Sequence, residues 1–128
     1  MVIALDFDGT VVSHEFPAIG KDIGAIPILK ELIENGHKLI LYTMRSDSEA
    51  GYYLLDAINW FYKNDIELYS IQENPEQHHW TTSPKCYAQL YIDDAALGIP
   101  LKIDKSISEK PFVDWIKVKE LLKEMEII

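Results

Sequence analysis

Cysteine is almost absent from this chain. Cys86 stands alone, so neither an internal disulfide nor a thiol-based metal cluster can form, and a reducing compartment is the simpler home. Basic residues are scarce too. Lys and Arg number 12 against 21 Asp and Glu, a formal charge of -9, which argues against a surface built to neutralise extended nucleic acid. The same balance suits an acidic site that holds a divalent cation, because the ion cancels several of those charges. No apolar run approaches the length of a membrane span, and the opening Met1-Val2-Ile3-Ala4-Leu5-Asp6 lacks the basic flank of a signal peptide. The expectation is a cytoplasmic protein without membrane contact. Six Gly and six Pro spread along 128 residues leave no low-complexity segment.

What is present is enough for one core. Apolar residues make up 48% of the chain, and residues 1–128 are expected to fold as a single domain. Val2 to Leu5 is a continuous apolar run that stops at Asp6, as a strand buried on both faces does. Residues 11–24, punctuated by Pro17, Gly20 and Gly24, read as a flap-like loop or small hairpin overhanging that strand's end. From Ala25 to Asn35, Ile26, Leu29, Leu32 and Ile33 recur at helical spacing, with Pro27 in the first turn and Gly36 as the stop. Lys38 to Tyr42 is a second strand, followed at once by Thr43-Met44-Arg45. Ser46-Asp47-Ser48-Glu49 fits a capping box, which predicts a helix from there to about Lys63. Ile66 to Ile71 reads as a third strand, Gln72 to Pro84 as a polar loop, and Tyr87 to Ile92 as a fourth strand ending on Asp93-Asp94. Leu101 to Ile103 is a short fifth, and Asp114 caps a closing helix on Val118, Leu121, Leu122 and Met125.

This alternation predicts an α/β fold, a three-layer sandwich around a mostly parallel, Rossmann-like sheet of about five strands. Ligands of such sheets bind beyond the carboxyl ends of the strands, and Asp6, Thr43 and Asp93 each directly follow an apolar strand. Asp6-Phe7-Asp8-Gly9-Thr10 places two carboxylates where a strand gives way to a turn that Gly9 lets the backbone make. A carboxylate attacks a phosphate dianion only when charge is neutralised, by a hard cation with oxygen ligands and a nearby amine. Asp93-Asp94 can supply the first and Lys85 the second. Each piece alone has a bland reading: a solvated acidic turn, a loop-starting Thr, a surface lysine, a helix N-cap.

In order and on these elements, the pieces resemble the haloacid-dehalogenase superfamily. Its DxDGT strand end matches Asp6 to Thr10, its strand ending in Ser or Thr matches Leu39 to Thr43, its lysine matches Lys85, and its acidic pair matches Asp93-Asp94. The resemblance implies a magnesium-dependent phosphohydrolase, a phosphomonoesterase working through an aspartyl-phosphate on Asp6. Asp8 then protonates the leaving group and later activates water, while Thr43 and Lys85 hold the transferring group. The resemblance implies too that Asp6, Asp8 through its main-chain carbonyl and Asp93 ligate Mg2+, with Asp94 binding it directly or through water. Gly9, Thr10, Met44 and Arg45 complete the set of phosphate- or substrate-binding candidates, with a structural salt bridge as the other reading of Arg45.

Neither interval between motifs has room for the cap domain that many superfamily members carry. An open cleft suits a phosphate on a large molecule, or else a neighbouring subunit of a homo-oligomer roofs it. The candidate substrates are a nucleotide, polynucleotide end or phosphosugar, whether a small molecule or an exposed phosphate on something larger. Lys85 follows a proline rather than preceding one, which leaves Lys102, Lys105 and Lys110 as substitutes. Two other classes stay open: a receiver-like phosphate-binding or signalling module, against which the motif order argues, and a phosphotransferase without appreciable hydrolysis. The roles of His14, Glu15, His78 and His79 are undecided from sequence.

Overall fold

The computed structural model describes residues 1–128. In chain order its elements are β1 (Val2–Leu5), α1 (Ile26–Glu34), β2 (Lys38–Leu41), β3 (Asp47–Ser48), β4 (Gly51–Tyr52) and α2 (Tyr53–Lys63). They continue as β5 (Ser70–Ile71), a single 3-10 turn at Gln77–His79, β6 (Leu90–Ile92), β7 (Leu101–Lys102), β8 (Phe112–Val113) and α3 (Trp115–Glu124). Four strands form one parallel sheet in the order β5-β2-β1-β6. The chain is therefore an α/β protein with three helices, and none of them is long and apolar enough to cross a membrane.

Strand alternation sorts the sheet's side chains by face. Ile3 and Leu5, Leu39 and Leu41, and Ile92 are buried in one apolar cluster with Ile28, Leu29 and Leu32 of α1, Ala57 and Phe61 of α2, and Trp115, Val118 and Leu122 of α3. Each fully buried Leu or Phe there contributes about 1.5–3 kcal/mol. Helix α1 ends where Gly36 takes a φ of +86°, a conformation that costs a glycine little. All three helices thus pack on one face. Ala4 and Ile40 face the other way and are also buried, but outside that cluster.

The second face is covered by irregular chain. The Tyr91 hydroxyl donates to the Cys86 carbonyl, and residues 72–89 are stapled to themselves by two buried amides. Asn74 donates to the Tyr87 carbonyl, while Gln77 donates to the Ser83 and Lys85 carbonyls and accepts from the Tyr87 N–H. The helix that a full third layer would need is absent because this stretch is polar and offers no apolar stripe.

Two further expectations are corrected. The fifth strand is not in the sheet: Leu101–Lys102 pairs antiparallel with Phe112–Val113 in a separate hairpin. The capping-box segment does not begin a helix. Asp47–Ser48 instead pairs with Gly51–Tyr52, and α2 starts at Tyr53. Within residues 11–24, here called the flap, Val12 bridges Asp22 and the Ser13 N–H donates to the Lys21 carbonyl at 3.0 Å.

Candidate active site

β1, β2 and β6 run parallel, so their carboxyl ends deliver Asp6, Thr43 and Asp93 to the same edge of the sheet. The Asp6 N–H still bonds the Ile92 carbonyl and the Tyr42 N–H the Leu5 carbonyl, which carries the ladder to that edge. Asp6, Asp93 and Asp94 each offer a carboxylate oxygen within 4.8 Å of the others. A cleft of about 460 Å³ opens over them, lined also by Asp8, His14, Phe16, Thr43, Met44, Arg45 and Ala95.

Thr10 sets two of these acids. Its side chain is fully buried; the hydroxyl donates to Asp6 Oδ2 at 2.6 Å and accepts from the Asp94 N–H at 2.9 Å. Its carbonyl takes the Trp115 Nε1–H at 2.7 Å, so the start of α3 anchors the turn. Gly9, at φ +79°, passes so close to Asp94 that an added Cβ would meet Asp94 Oδ2 at 2.5 Å. Only glycine fits both the angle and the gap.

The electrostatics of the three acids follow from crowding. Burial pushes the Asp6 carboxyl up to about 7, with Asp93 and Asp94 adding to the effect and the Thr10 hydrogen bond opposing it. Burial also raises Asp94, reinforced by Asp93 and opposed by its hydrogen bond with Asp6 and by His14. Such a site is short of positive charge. Oxygen donors at this spacing fit a hard divalent cation, and the Asp8 carbonyl, which accepts no hydrogen bond from the protein, is a further free donor.

The turn's amides divide into two groups. The N–H groups of Gly9 and Thr10 are spent on the Val12 and Phe7 carbonyls, whereas those of Phe7, Asp8 and Met44 donate to nothing in the protein. Phe7, Asp8 and Met44 thus present unpaired amides, while those of Gly9 and Thr10 are used within the turn. Thr43 stays a candidate, because its hydroxyl accepts from the Arg45 N–H at 3.1 Å and keeps its proton to donate. Gln72 locks this turn by accepting from the Thr43 N–H and donating to the Thr43 carbonyl. Nothing local in the sequence marks Gln72, which lies 29 residues away.

Arg45 is not free to bind a phosphate. It is 2% exposed, and it holds both carboxylate oxygens of Asp8, at 2.7 and 2.8 Å. The Asp8 side chain accordingly turns to Arg45 rather than joining the acid trio. Lys85 also stands outside the cluster: its Nζ lies over the Tyr91 ring, 5.8 Å from the centroid, and pairs with no carboxylate. Glu15 accepts from the Ser108 hydroxyl, His78 sits 3.5 Å from Glu73 in an exposed pair, and neither His78 nor His79 lines the cleft. His14 does line it, with a buried Nδ1 that has no partner.

Among solved structures, a conserved protein from Bacteroides thetaiotaomicron matches at 35% identity and a TM-score of 0.75, over 98% of this chain and 91% of that one. The chain belongs to that protein's family. No family model matches the chain, and no curated protein does. Membership in this Bacteroides family extends over essentially the whole fold, so the β1, β2 and β6 edge described above lies within the shared region.

Proposed function

We propose that the protein is a magnesium-dependent phosphomonoesterase of the haloacid-dehalogenase type, with a trimmed sandwich in which one face of the sheet carries helices. One observation carries this reading: acids from opposite ends of the chain, Asp6 and the Asp93-Asp94 pair, converge within 4.8 Å at the sheet's carboxyl edge. Asp6, Asp93, Asp94 and the Asp8 carbonyl would hold Mg2+, which when bound supplies the positive charge that a phosphate dianion needs beside a carboxylate.

Asp6 attacks phosphorus with one carboxylate oxygen; the bond from phosphorus to the ester oxygen breaks, and the leaving group departs with the electron pair. Asp8, which lines the same cleft, would protonate poor leaving groups. Water then attacks the phosphoaspartate, giving its proton to the Asp8 carboxylate, and Asp6 and inorganic phosphate are released. The free N–H groups of Phe7, Asp8 and Met44 and the Thr43 hydroxyl suit the developing charge on the phosphoryl oxygens. Strand alternation puts Asp6 and Asp93 on the same face as Ala4 and Tyr91, so Lys85 joins the set by leaving the Tyr91 ring.

The substrates of this reading are phosphomonoesters, and the open cleft admits a phosphate exposed on a larger molecule as well as a small ester. Turnover of a panel of phosphate esters with Mg2+, beside Asp6→Asn, tests it. Release of phosphate by the wild type and none above background by the variant is expected. Equal rates would sink the proposal.

A further inference from the structure

Arg45 joins the Asp8 turn, the flap and the start of α2. Its guanidinium has five N–H donors, and each has an acceptor. Nε and one Nη hold Asp8 Oδ2 and Oδ1 at 2.7 and 2.8 Å. The remaining three donate to the carbonyls of Pro17, Ala18 and Tyr53 at 3.3, 2.9 and 3.1 Å. Pro17 and Ala18 belong to the flap, and Tyr53 opens α2. The rings of Phe7 and Phe16 lie against the guanidinium with centroids 5.2 and 5.0 Å from its central carbon. No donor is left for a substrate.

An arginine with only a framework duty has no reason to grip an acid that lines the reactive cleft. Asp8 lines it beside Asp6, and a two-point fork fixes the plane of a carboxylate as a single contact does not. We infer that Arg45 is a positioning residue that aims the Asp8 carboxylate at the water of the hydrolytic half-reaction and ties the flap to that aim. The inference rests on the phosphoaspartate reading above. In the step concerned, water oxygen bonds to phosphorus, its proton passes to Asp8, and the bond from phosphorus to Asp6 breaks. The first half-reaction with a leaving group that departs as a stable anion does not call on Asp8 at all.

That difference makes the role measurable with p-nitrophenyl phosphate and Mg2+. In Arg45→Ala and Arg45→Lys, p-nitrophenolate should appear as a stoichiometric burst, followed by a steady rate about tenfold to a hundredfold below wild type. Acid-quenched protein should carry a phosphoryl adduct by intact mass, and added guanidinium ion should restore part of the steady rate of Arg45→Ala. A purely structural role predicts burst and steady rate falling together with the folded fraction and no adduct, and that result overturns the inference. Should the Arg45 variants fail to fold, Phe16→Ala keeps the guanidinium and uncovers one face of it. It should shift the partition in the same direction, and an unchanged partition overturns the inference equally. Wild-type turnover that survives Asp6→Asn removes the phosphoaspartate reading itself, which is a different result from wild-type turnover with unaltered Arg45 kinetics.

Discussion

The Thr10 hydroxyl has one proton to give, and it goes to Asp6 while the oxygen accepts from the Asp94 N–H. The 3.4 Å approach to Asp94 Oδ1 is left without that proton. Burial, with Asp93 and Asp94 adding to it and the Thr10 hydrogen bond opposing it, raises the Asp6 carboxyl to about 7 against an ordinary value of 3.8. Between those values the folded chain holds a proton that the unfolded chain has released, so rising pH favours unfolding. The group's stabilisation is complete below pH 3.8 and is lost as pH passes through about 7, with a slope of up to about 1.4 kcal/mol per pH unit. Thermal unfolding in a chelator should therefore show the wild type losing stability across this window and Asp6→Asn losing less. Parallel profiles for the two proteins would refute the assignment.

At the scale of elements, α2 illustrates how a local pattern is read correctly as a cap and wrongly as a start. Ser46-Asp47-Ser48-Glu49 has capping chemistry, and Asp47 uses it, but across the β3–β4 hairpin: its Oδ1 accepts from the Leu54 and Leu55 N–H groups, both at 3.1 Å. The chain turns back before helix propagation, and the cap reaches its helix from seven residues upstream. Asp47→Ala should cost about 0.5–2 kcal/mol in urea unfolding, with Asp47→Asn retaining most of it; no change in the alanine variant would deny the long-range cap.

β1 and β2 were legible because burial on both faces writes a continuous apolar run, as in Val2 to Leu5, and the acids were legible because they end such runs. The Ile66 to Ile71 and Tyr87 to Ile92 runs pair only over Ser70–Ile71 and Leu90–Ile92. Arg45 and Gln72 were not assignable, since their partners, Asp8 and Thr43, lie 37 and 29 residues away. Nor could the sequence tell that Gly9 and Thr10 turn their amides inward, which depends on where the Val12 and Phe7 carbonyls fall.

Across the whole molecule, packing is lopsided. Helices guard one side of the sheet through a continuous apolar cluster, while the other side is closed by hydrogen bonds from Asn74 and Gln77. Hydrogen-bonded cover yields earlier than an apolar core, so residues 72–89 should open without global unfolding. Cys86 sits beneath that cover, 1% exposed, and burial pushes its thiol up, so alkylation waits for opening. Gln77→Ala should speed Cys86 labelling about 5- to 30-fold while the urea midpoint moves little; labelling that merely tracks the midpoint would exclude a separate opening. The lone thiol thus becomes a stopwatch for the thin side of the sheet. Lys85 is its chain neighbour, so on the proposed phosphatase reading the same opening would also govern how often the lysine leaves the tyrosine ring for the acids at the sheet's rim.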